Sequence, residues 1–122
     1  MSTEPPPLTM FEVVRRAVQL IDPDDNDPTA GDFERAFEDD DTPIRGVEDV
    51  EGRVGEVLAE LDPATNNGAI SMAGALTVYL AYRRDEVNVD PAKLLVLAAR
   101  AEWDAAPPEP VVEWLADRGL AV

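Results

Sequence analysis

Residues 69–82 form an almost unbroken apolar segment, and this segment constrains the fold more than any other part of the sequence. Ser71, Gly74 and Thr77 are its only interruptions, so a helix over this range is apolar around nearly its whole circumference. Such a helix requires neighbours on every side. We therefore predict a central apolar helix within residues 69–84, too short to span a bilayer, with small residues that allow close helix packing.

Start signals along the rest of the chain predict five further helices. Thr9 and Glu12 have the spacing of a capping box. No segment is long enough to predict a strand, and no internal repeat is evident. We therefore predict an all-α fold, a compact single-domain bundle of five to six helices. The other helices are expected to begin at Thr9, at Thr29, at Pro43 or Val47, at Asp90–Pro91 and after Pro108.

The spacing of apolar residues assigns an inner face to these helices. Phe33 and Phe37 have the spacing of a stacked pair on one helix face. Gly46 weakens its segment by about 1 kcal/mol relative to Ala, so we expect a chain break there or unusually close packing. The predicted inner faces contain Phe11, Val14, Val18 and Ile21 in the first helix, and Leu94, Leu95, Leu97, Ala98 and Ala101 in the helix after Pro91.

Composition divides the chain into three regions. Residues 1–8 contain three consecutive prolines and neither a basic nor a long apolar stretch, so we predict a flexible N-terminal tail without a secretory signal, and a cytoplasmic location. A single helical domain then covers residues 9–122. Within it, residues 22–42 are dominated by Asp, Glu and Pro, which predicts a mobile region of acidic loop and short helix.

The chain is strongly acidic, with 26 Asp and Glu against 10 Lys and Arg, and Lys93 is its only lysine. A net charge of -16 opposes compact folding through self-repulsion. Concentrated salt relieves this cost, because the Debye length falls to about 3 Å at 1 M. Disorder is the alternative explanation, but 45% of the residues are hydrophobic. We therefore expect a folded protein from a salt-adapted, halophile-like organism.

The sequence contains no Cys and no His. Their absence removes disulfides, thiolate metal sites, the usual general base and the best nucleophile. Ser71 is the only serine apart from Ser2, and no His or Lys lies nearby in the sequence to activate it. We therefore predict that the protein is not an enzyme and has no cofactor.

The loop after the first helix is the richest source of hard oxygen ligands. Asp22, Asp24 and Asn26 occupy positions one, three and five of a calcium-loop pattern. The pattern then fails, because Asp27 stands where glycine is required and Phe33 stands where glutamate is required. We therefore predict no metal site, with Asp22, Asp24 and Asn26 as weak candidates.

Aromatic and basic side chains are the candidates for contact with a partner. The chain has only two basic doublets, which is too little positive charge to predict direct nucleic-acid binding. We expect a protein partner or self-association, with no direct binding to nucleic acid or membrane. The candidate contact residues are Tyr82, Arg83, Arg84, Trp103 and Trp114.

These observations favour a non-catalytic interaction or assembly protein of a salt-adapted organism, because the chain can fold and pack but lacks the side chains that most chemistry requires. A structural subunit of a viral or shell-like particle is one alternative. An acidic decoy or adaptor for a basic partner is another. A binder of a small ligand or Ca2+ is the third, since Gly52, Gly55 and Gly74 could leave room for a pocket between helices.

The fold prediction is tested by circular dichroism in several molar potassium chloride. We expect a predominantly helical spectrum, because burial of the apolar helix faces stabilises the fold more than the acidic side chains destabilise it once salt screens their repulsion. A spectrum with little helix at high salt contradicts the prediction.

Overall fold

The computed structural model describes residues 9–83, 90–104 and 106–121, and the chain is all-α over these ranges, as predicted. The predicted tail, residues 1–8, lies outside the described residues. A short 3-10 turn, Ile44–Gly46, lies between the second and third helices. The described helices are α1 (Met10–Ile21), α2 (Pro28–Arg35), α3 (Val50–Leu61), α4 (Gly68–Tyr82), α5 (Pro91–Trp103) and α6 (Glu109–Ala116).

Helix α4 is the centre of the fold, as its composition predicts. Every other helix packs against it, and 11 of its 15 residues are buried. The hydroxyl of the fully buried Thr77 is satisfied within the helix, because its Oγ1 donates to the Ala73 carbonyl oxygen at 2.8 Å. A single cluster of buried apolar side chains includes members of all six helices. None of the described helices has the length and apolar character needed to cross a bilayer.

The loops that follow α1 and α3 have the same local structure. Both helices are 12 residues long and both end at an Asp, Asp22 or Asp62. Each carboxylate accepts hydrogen bonds from two backbone N–H groups at 2.9 to 3.0 Å, the donors being Asn26 and Asp27 in the first loop and Asn66 and Asn67 in the second. The shared sequence is Asp-Pro-x-x-Asn, which an excess of acidic residues obscures in the first copy.

The structure corrects two predicted helix starts. Helix α2 begins at Pro28 rather than at Thr29, because the Asp27 carboxylate caps it by accepting from the N–H groups of Thr29 and Ala30. Helix α3 begins only at Val50, after Asp49, since the chain breaks around Gly46 as the glycine content indicates. The predicted starts of α1 and α5 are confirmed.

The predicted inner faces are correct in outline and wrong at their edges. In α1, Val14, Val18 and Ile21 are buried, but Phe11 is only half-buried. In α5, Leu94, Leu95 and Ala98 are buried, Leu97 is half-buried and Ala101 is exposed. The apolar stripe of α1 and of α5 is wider than the surface that each helix buries against α4. The sequence pattern therefore does not show which side of the stripe is buried. The rings of Phe33 and Phe37 do meet, with centroids 5.5 Å apart.

Two glycines of α4 allow its neighbours to approach closely. A Cβ atom on Gly68 would overlap the Pro110 carbonyl group and lie 2.9 Å from Cβ of Trp114, both in α6. A Cβ atom on Gly74 would lie 2.7 Å from Cδ1 of Leu58 in α3. Glycine is therefore needed for packing at position 68, where the contact is with backbone, whereas at position 74 the end of the Leu58 side chain would have to move.

We predict that Gly68→Ala destabilises the fold by about 1 to 3 kcal/mol, because the added methyl group meets backbone atoms that cannot rotate away. Gly55→Ala is the matched control, since a Cβ atom there meets nothing within 4 Å. It should stabilise α3 by roughly 0.5 to 1 kcal/mol through helix propensity. Urea unfolding at constant salt measures both changes, and equal effects of the two substitutions would contradict the packing.

Candidate functional site

A groove lies over one face of α4, between α3 and α5. These two helices each pack against α4 but make little contact with each other. Two cavities of about 220 and 190 Å3 occupy the space between them. The cavities adjoin, because Glu51, Ala75, Val78 and Glu102 line both of them. We call this feature the α3–α5 groove.

One face of α4 forms the floor of the groove. Ser71, Ala75, Val78 and Tyr82 follow one another at helical spacing along it. Ser71 and Ala75 are small and buried, Val78 is half-buried, and Tyr82 is 67% exposed at the far end. The floor is therefore apolar, deep at the Ser71 end and open at the Tyr82 end.

The walls combine apolar side chains with two carboxylates. Helix α3 contributes Val54, Leu58 and Glu51, and α5 contributes Glu102 and Trp103. Trp103 is half-buried and packs against the core as well as lining the groove. The groove thus presents apolar surface with a glutamate on each side.

Glu51 and Glu102 line opposite walls of the groove, and Arg83 lines its smaller cavity with them. Partial burial of its carboxyl group raises the pKa of Glu102, and the negative charge of Glu51 raises it further. The ion pairs found among the described residues are Arg35–Asp32 and Arg53–Asp40, so neither glutamate takes part in one. The groove therefore contains two glutamates that form no salt bridge with a described residue, and Arg83 is the one cation among its described lining residues.

Asp40 shows the opposite arrangement elsewhere in the fold. Burial raises its pKa, but hydrogen bonds from Thr42 and Arg53, together with the charge of Arg53, outweigh burial and lower the pKa overall. The Arg53 guanidinium and the Asp40 carboxylate join α3 to the segment before the 3-10 turn. An acid with a structural partner is thus stabilised in its charged form, whereas Glu102 is not.

The groove brings together three of the five residues predicted to contact a partner. Trp103, Tyr82 and Arg83 line it, and Arg83 is exposed beside Tyr82. Arg84 lies outside the described residues. Trp114 is half-buried in α6, away from the groove, and the Arg118 guanidinium covers its ring at 3.6 Å.

Sequence reasoning missed Glu51 and Glu102. Acidic residues occupy about one position in five of this chain, so no local signal separates these two from the others. Gly55 and Gly74 do line the larger cavity, as the pocket alternative predicts, whereas Gly52 lies against the Asp49 carboxylate. Ser71, for which the sequence offers no activating residue, lies on the groove floor.

The acidic loop after α1 has a structural explanation. Both carboxylate oxygens of Asp22 accept backbone N–H groups, and Asp62 does the same in a loop that has Ala64 and Thr65 in place of Asp24 and Asp25. The loop therefore forms without the extra acids. In the described ranges, no group of three acidic side chains is placed to hold a metal ion.

In comparisons with known proteins, no family model, no curated protein and no solved structure matches the chain. The groove is thus interpreted from its own geometry and charge.

We predict that Glu102→Gln makes folding stability less dependent on pH. The folded chain binds the Glu102 proton more tightly than the unfolded chain, so wild-type stability falls as pH rises from the ordinary pKa of glutamate through the raised folded value. Glutamine does not titrate, so that decline is absent. Urea unfolding at several pH values measures the difference. Glu60→Gln, an exposed change outside the groove, is the control, and equal pH profiles for the two variants would contradict the prediction.

Proposed function

We propose that the chain is a non-catalytic protein-interaction or assembly domain that binds a partner protein in the α3–α5 groove. The observation that carries the proposal is the strip of α4 left open between α3 and α5. Its floor is apolar from Ser71 to Val78, and Tyr82 is exposed at its end. Apolar surface next to an exposed aromatic side chain is typical of sites that bind other proteins.

The size of the groove favours a macromolecular partner over a small ligand. Pockets for small molecules usually enclose about 300 to 1,000 Å3. The larger cavity here has about 220 Å3, and the space continues along α4 instead of closing. A side chain or a row of side chains from a partner suits this shape better than a free ligand does.

The acidic composition supports a salt-adapted, cytoplasmic setting for this interaction. A net charge of -16 with a single lysine, Lys93, is costly in dilute solution and much less costly in concentrated salt. Association through apolar surface is strengthened when salt screens charge repulsion between the partners. Contact with the apolar groove floor is therefore suited to binding a partner protein in concentrated salt.

Site-specific photo-crosslinking in native extract at high salt tests the proposal. A photoreactive residue at position 82, in the groove, should crosslink to a partner, whereas the same residue at position 60 should not. Ala101→Trp fills the groove from an exposed position of α5, so it should reduce the crosslink about tenfold or more.

Ala116→Trp is the matched control, because Ala116 is exposed on α6 and lines none of the described cavities. The proposal fails if position 82 yields no crosslink, if positions 60 and 82 yield the same products, or if the two tryptophan variants behave alike.

A further inference from the structure

The backbone around the α3–α5 groove restricts the conformation of its occupant. The floor and the long walls are helical, and their backbone groups are hydrogen-bonded within α3, α4 and α5. The described residues offer no strand edge with which an extended peptide could pair. An occupant buried here must therefore satisfy its own backbone N–H and C=O groups, which a helix does.

The floor also sets the length of that helix. From Ser71 to Tyr82 the groove extends about 17 Å, at a rise of about 1.5 Å per residue, which corresponds to three helical turns. Ser71 and Ala75 are small and buried, so the cavities above them admit side chains from a helix that lies over the groove. Such a helix would place apolar side chains on one face, at positions i, i+4 and i+7.

The charged residues of the groove indicate that the occupant carries a cationic side chain. Glu51 and Glu102 line both cavities from opposite walls, and neither belongs to an ion pair in the described part of the chain. Arg83 is at the Tyr82 end, lining only the smaller cavity. A cationic side chain between two carboxylates relieves their mutual repulsion, and the repulsion returns when it leaves.

We infer that the α3–α5 groove binds an amphipathic helix of a partner protein whose Lys or Arg side chain lies between Glu51 and Glu102. This inference rests on the proposed protein-binding function and adds the chemistry of the partner. A second copy of this chain is a poor occupant, because it has 26 Asp and Glu against 10 Lys and Arg and so offers few cations to lie between the two glutamates.

Trp103 gives the experiment a local reporter. The chain has two tryptophans, and only Trp103 lines the groove, so the substitution Trp114→Phe leaves a single fluorophore at the site. The probes are two synthetic helical peptides of about 14 residues, rich in Ala and Leu. They are identical except for a central Lys in one and norleucine in the other. Binding is measured at the lowest potassium chloride concentration that preserves native helicity.

We expect the lysine peptide to change Trp103 emission and to bind about tenfold more tightly than the norleucine peptide. Glu51→Gln and Glu102→Gln should each remove most of that preference. Glu60→Gln, which deletes an acid of α3 outside the groove, should leave the preference unchanged. Thermal unfolding of each variant checks that the fold is intact.

The other outcomes separate this inference from the proposed function. Equal binding of the two peptides overturns the cationic partner and leaves a protein-binding groove. Absence of binding by either peptide, while position 82 still crosslinks to a partner, overturns the helical occupant alone. Binding that leaves Trp103 emission unchanged, or that the glutamate variants do not affect, places the peptide elsewhere and overturns the inference. Concentration-dependent self-association that Ala101→Trp abolishes identifies a second copy as the occupant instead.

Discussion

Burial of α4 is the constraint on which the rest of this structure depends. A helix with apolar side chains on all sides is stable only inside a shell of neighbours, and the five other helices provide that shell. Gly68 and Gly74 let α6 and α3 approach at short range. The repeated Asp-Pro-x-x-Asn loops direct the chain from α1 into α2 and from α3 into α4, because their carboxylates bind the backbone of the turn.

The shell is incomplete along one strip, and that strip is the candidate site. Helices α3 and α5 contact α4 from two sides without closing over it. The same two helices bring Glu51 and Glu102 to opposite walls. Elsewhere an acid such as Asp40 has Arg53 as its partner, and its pKa is lowered. Glu51 and Glu102 are exposed and have no such partner among the described residues.

Sequence reasoning recovered the elements well where a signal was unambiguous. The capping box at Thr9 and the start at Asp90 and Pro91 both agree with the structure. Sequence reasoning failed where several Asp and Thr residues could each be the N-cap of the same helix. Asp27 and Thr29 both stand at the start of α2, and the sequence does not show that Asp27 is the cap.

The sequence by itself determined the helical class, the central position of α4 and the absence of cysteine and histidine chemistry, because these follow from composition and from periodicity along a single helix. Only the tertiary structure decided which strip of α4 remains open and which acids face one another. Glu51 lies in α3 and Glu102 in α5, and all of α4 lies between these helices along the sequence. The two glutamates come close in space only because of the angles at which α3 and α5 pack against α4. Those angles are set by side-chain contacts between helices, which no local pattern records.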